Sequence, residues 1–158
     1  MIDLDITELF EEIVKELPEG LEILYPNGKG GTKVVKSPRL NYIFGSSQYI
    51  KDILDEYSKS SAQSERKFPL VALFTPISED RGDADYFSKA KVSLIIACSS
   101  CKEWSNEMRR TTSFKNILRP IYKRLLEVLY EDSRFDCDYD EKVKHSSVSY
   151  THLTLPTN

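Results

Sequence analysis

Two apolar runs dominate the pattern, Phe68-Pro-Leu-Val-Ala-Leu-Phe-Thr-Pro-Ile77 and Val92-Ser-Leu-Ile-Ile-Ala-Cys98. Between them lies a polar link, Ser78-Glu-Asp-Arg-Gly-Asp-Ala-Asp85. Strand-length apolar runs around a Gly/Asp-rich link predict a long β-hairpin. Nearly every residue of both runs is apolar, so the hairpin is expected in the middle of a sheet, buried on both faces. Upstream, Asp5-Ile-Thr-Glu8 has the spacing of a capping box, and Leu9, Phe10, Ile13, Val14 and Leu17 follow at helical spacing until Pro18-Glu-Gly20. These predict an amphipathic helix over roughly 5–17. Leu21–Tyr25 and Thr32–Lys36 read as short strands joined by the turn Pro26-Asn-Gly-Lys-Gly-Gly31. Residues 37–44 read as extended up to Gly45, and a helix over about 47–62 is expected, capped by Ser46 or Ser47. Ser58–Lys67 is a polar, serine-rich link. The last helix carries Phe114, Ile117, Leu118, Ile121, Leu125, Val128 and Leu129 on one stripe, with Pro120 inside it. There the helix is expected either to kink or to begin. The acidic run Asp132–Glu141 is expected to leave it for a loop.

The order predicts an α+β fold: a small antiparallel or mixed sheet with a central hairpin (about 68–77 and 90–98) and three main helices packed on it. At 158 residues, 40% hydrophobic and 30% charged, the chain has the size and composition of one ordinary globular domain, read here as residues 1–146. A net charge of −3 gives no whole-molecule field for nucleic acid or acidic lipid. The longest apolar run is far short of the roughly 20 residues of a membrane span. The acidic N-terminus lacks a secretory signal pattern, and three cysteines fit a reducing compartment better than a disulfide framework.

Val148–Thr157 is identified as a translated transposon-end sequencing adapter, read as GTC TCT TAT ACA CAT CTG ACG CTG CCG ACG. The two adapter bases before that frame, CT, complete the serine codon of Ser147. On this expectation residues 147–158 are set aside, the natural chain continues past Ser146, and His145 is the one biological histidine.

Few residues offer chemistry. Cys98-Ser-Ser-Cys101 follows a strand, as a thioredoxin-like redox pair would. Against it, the surrounding order does not read as βαβ, no Trp precedes Cys98, and Pro120 lies in a helical pattern. Cys98, Cys101, Cys137 and His145 together make a Cys₃His set, with unusual spacing in its second half. From Lys102 to Arg124 there are seven basic residues and two acidic ones. Arg109, Arg110, Arg119 and Lys123 could face phosphates, although the solvated back of an amphipathic helix is the reading the sequence favours. Nucleic acid is therefore not an expected partner. The glycine turn 26–31 leads into a strand and not a helix, so it is read as a hairpin turn and not a P-loop. Asp80, Asp83, Asp85 and Arg81-Gly-Asp83 are read as a hairpin tip. No catalytic, metal or cofactor set emerges, and none is expected.

Tyr42-Ile-Phe-Gly45, Lys67–Pro76, Val92–Ala97 and Phe114–Tyr122 resemble a family of uncharacterised proteins from phages and prophages of Bacteroides-type bacteria. His145 would match a histidine region that follows the last helix in that family. The element order also resembles tail-completion proteins, the tail-terminator or neck components that form a ring where a phage tail meets the head. The resemblance implies a virion protein made in the bacterial cytoplasm, without enzymatic activity. Its partners would be copies of itself in a ring and other tail or neck proteins, contacted through the loops 26–32 and 78–88.

Overall fold

The computed structural model describes residues 5–59, 66–80, 89–99 and 103–135. Helix α1 (Ile6–Glu16) begins as its sequence dictates. The Asp5 carboxylate accepts from the Glu8 N–H (3.0 Å) while the Glu8 carboxylate accepts from the Asp5 N–H (3.2 Å), so two otherwise orphaned donors are satisfied. Strands β1 (Glu22–Pro26) and β2 (Thr32–Lys36) form an antiparallel hairpin. In its turn Asn27 Oδ1 accepts from the Lys29 and Gly31 N–H groups, which closes the turn on itself.

Strand β3 (Asn41–Gly45) leads into α2 (Ser47–Tyr57), capped by Ser46 Oγ, which accepts from the Tyr49 N–H. The chain then enters β4 (Leu70–Phe74), parallel to β3 and in register Asn41↔Leu70 through Gly45↔Phe74. A βαβ unit is therefore present, against the expectation from sequence: two parallel neighbours need a crossover, and α2 supplies it. It lies upstream of Cys98, which follows the later strand β7 (Leu94–Ala97).

β4 pairs antiparallel with β7 (Leu70↔Ala97 to Leu73↔Leu94), giving the mixed sheet β3-β4-β7. Beyond it β5 (Ser78–Asp80) pairs with β6 (Lys89–Lys91), so the expected hairpin is present. Its first run is central and buried, whereas β7 is an outer strand, only partly buried. The reason is that β3, not a further hairpin strand, takes the other side of β4.

Two apolar cores lie on the two faces of β4. Val71 joins Ile13, Val14 and Leu17 of α1, Ile23 of β1, and Ile117, Ile121, Leu125 and Val128 of the last helix. Leu70 and Ala72 join Ile43 of β3 and Ile50 and Leu54 of α2. The last helix runs through α3 (Asn106–Arg109), a π-helical segment (Arg110–Leu118) and α4 (Arg119–Glu131). The α-helical part begins there, as one of the two expectations had it, with Pro120 in the first turn of α4. The path nevertheless continues from the π-helical segment, because Leu118 and Arg119 keep right-handed helical angles. The turn before Pro120 widens, and the Arg119 N–H reaches Phe114 O, five residues back. The missing proline donor and its crowding ring are accommodated by that wider ladder.

After α4 the chain latches onto α1. Arg134 grips Asp132 through Nε (3.0 Å) and Nη2 (2.7 Å) and bonds Glu12 through Nη1, while Phe135 packs edge-on against Phe10 at 5.9 Å. The Arg134 side chain, followed by its backbone N–H, holds the Asp132 carboxyl below its ordinary value, outweighing the effect of burial. A carboxyl depressed in the folded state contributes stability that is full above its unfolded value, about 4. That contribution is lost as pH falls through the lower folded value. We therefore expect the thermal midpoint to drop on acidification below about pH 4, and Asp132→Asn to flatten part of that drop; superimposable acid profiles would refute it.

Candidate interaction site at the β3 edge

Among the described residues β3 bonds to β4 on one side. The Asn41 N–H donates to Pro69 O and the Thr75 N–H donates to Gly45 O, both at 2.9 Å. Positions 41, 43 and 45 thus aim their peptide groups at β4. By alternation, those of Tyr42 and Phe44 point the other way. Among the described residues no strand pairs with that side.

Side chains alternate as well. Ile43 is buried against α2, whereas Tyr42 and Phe44 share the opposite face with ring centroids 6.1 Å apart. Tyr42 is anchored: its hydroxyl donates to Thr7 O at 2.8 Å. Burial, then the nearby Glu11 and Asp5 carboxylates, push its pKa upward. Phe44, further along, is 45% exposed, and Tyr49 at the start of α2 is 52% exposed. The Tyr49 ring lies over Gly45, so close that a Cβ there would sit 2.6 Å from Tyr49 Cδ1. Gly45 has φ +147°, a conformation that L side chains rarely adopt. The result is a strand edge with two outward peptide units beside exposed aromatic surface. Such an edge can accept a further strand, with backbone bonds for affinity and Phe44 for specificity.

The chain matches no family model, no curated protein and no solved structure.

The residues singled out from sequence are not brought together. Cys98 packs at the margin of the α1/α4 core, and burial pushes its thiol up, partly opposed by the neighbouring Ser113 hydroxyl. Ser113 Oγ is buried and makes no hydrogen bond of ordinary geometry. A redox thiol is favoured by the opposite shift, which a helix N-terminus can supply; α3 starts only at Asn106. Cys101, Cys137 and His145 lie outside the described residues, as do Arg81, Asp83, Asp85 and 147–158. Among the described residues no group of His, Cys, Asp and Glu could hold a metal ion, and no helix is long and apolar enough to cross a membrane. Arg109 is half-buried, Arg110 lies 3.3 Å from Glu107, and Arg119 and Lys123 are exposed. Of the expected contact loops, 26–32 is the closed hairpin turn described above, and 81–88 of the second lies outside the described residues. An open notch of about 160 Å³ between Arg39, Asn41, Tyr57 and Arg66 had no signal in the sequence.

Proposed function

We propose that the protein is a phage virion structural protein of tail-completion type that acts by self-assembly at the head–tail junction. One observation carries the reading. Tyr42–Gly45, a segment on which the phage resemblance rests, forms an edge strand with outward peptide groups and an exposed Phe44. A ring of identical subunits needs a heterologous contact that closes, and an open strand edge is one means of making it. For the thiol–disulfide alternative, Cys98 packs at the margin of the core and burial pushes its thiol up, while Cys101 lies outside the described residues.

Light scattering coupled to size-exclusion chromatography of the full chain tests it. The expected result is a defined oligomer that Phe44→Asp dissociates. An apolar anchor at an interface centre is worth about 2 kcal/mol, or roughly 30-fold in dissociation constant. A chain that stays monomeric as its concentration is raised would count decisively against the proposal.

A further inference from the structure

The wide turns of the π-helical segment organise the last helix into rows. Ser113, Ile117, Ile121 and Leu125 are buried at steps of four, whereas Thr111, Lys115, Arg119, Lys123 and Glu127 are exposed at the same steps. In a regular α-helix of 3.6 residues per turn, a step of four drifts by about 40°, and such a series would wind around the cylinder. The five-residue reach before Pro120 offsets that drift. Two residues separate the rows, so the exposed row forms the crest directly opposite the core.

Between Glu107 and Glu127 the crest carries only positive charge. No acidic residue occurs between Glu107 and Glu127, and none of Lys115, Arg119 and Lys123 has an ion pair among the described residues. The acidic helix α1 packs against the far, buried side of α4 through Ile13, Val14 and Leu17. Glu127, at the end of the row, is 3.5 Å from Arg124. Arg110 flanks the crest at its start. Along α4 successive cations are about 6 Å apart, at 1.5 Å of rise per residue.

We propose that this crest, Lys115, Arg119 and Lys123 with Arg110 beside them, binds the sugar–phosphate backbone of nucleic acid without reading its sequence. Three cations in a row, with the guanidinium of Arg119 able to match a phosphate and Arg110 beside them, have the right charge and chemistry for this ligand. An anionic bilayer is a poorer match: an interfacial helix must sink its apolar face into lipid, and Ile121, Leu125 and Val128 are already committed to the core.

Fluorescence anisotropy of labelled single-stranded and duplex oligonucleotides, titrated with the full chain at about 50 mM salt and above, tests it. Duplex binding is expected to weaken with salt with a logarithmic slope of about −3, from −0.9 per phosphate contacted. Arg119→Gln should reduce that slope by about one, and Lys115→Glu/Arg119→Glu/Lys123→Glu should abolish binding. Lys29→Glu/Lys33→Glu/Lys36→Glu, an equal charge change on the β1–β2 hairpin, should leave most of it. Circular dichroism checks folding, and if the crest triple fails to fold, the single Gln variants supply the slopes. The proposal is overturned by absence of salt-dependent binding, by equal loss from the hairpin variant, or by binding to phosphatidylserine vesicles but not to oligonucleotides.

Discussion

Leu70→Ala and Ile121→Ala should each cost about 2–5 kcal/mol, and the double variant should lose close to the sum. Both side chains are fully buried, but on opposite faces of β4. Leu70 packs with Ile43, Ile50 and Leu54, while Ile121 packs with α1, β1 and Val71. Each truncation removes the transfer energy of the lost methyls and leaves a cavity whose walls relax only partly. The two cavities share no wall residue in these clusters, and substitutions at independent sites add within about 0.5 kcal/mol. Against a typical total of about 5–15 kcal/mol the summed loss is a large share of the stability. Guanidinium unfolding of the four proteins measures this. A coupling energy well above 0.5 kcal/mol would mean that the two cores behave as one.

Gly45→Val should cost at least about 1–3 kcal/mol, the range for a residue held in a sparsely populated conformation. Two separable causes act. A β-branched side chain at φ +147° is strained wherever it points, and its Cβ meets the Tyr49 ring at 2.6 Å. Tyr49→Ala in the same chain removes the collision and leaves the backbone term, so the pair should recover part of the loss. Full recovery would show that the backbone at Gly45 tolerates a side chain. No recovery would show that the collision is relieved by movement of an exposed ring.

Much of the fold was legible because local chemistry and burial agree. Asp5 and Glu8 announce the start of α1, Ser46 that of α2, and the unbroken apolar run at 70–74 a strand covered on both faces. What was illegible depends on partners far along the chain. Nothing in Asn41–Gly45 says that it pairs in parallel with residues almost thirty positions away, so the βαβ unit was missed. The π-helical segment leaves the backbone angles right-handed and shifts only the hydrogen-bond ladder; its trace in the sequence is a spacing of four, hidden because Ser113 occupies a core row as a polar residue. The candidate edge was half legible. Tyr42-Ile-Phe-Gly45 was recognised as a motif, but which side of the strand stays open is decided by β4. The basic row was counted correctly as residues, while its straightness belongs to the turn before Pro120.

The alternation along β4 also acts as a phase lock. Ala72 lies in register between Ile43 on one neighbour and Ile95 on the other, and α2 closes over that face with Ile50 and Leu54. A slip by one residue would put Val71 or Leu73 into the space now taken by a methyl group and turn Ala72 toward the other core. One face would be overfilled, at about 1–3 kcal/mol, while the other kept a hole. The smallest side chain of the strand thus rejects the neighbouring registers, because only one alignment puts a methyl group between the two isoleucines.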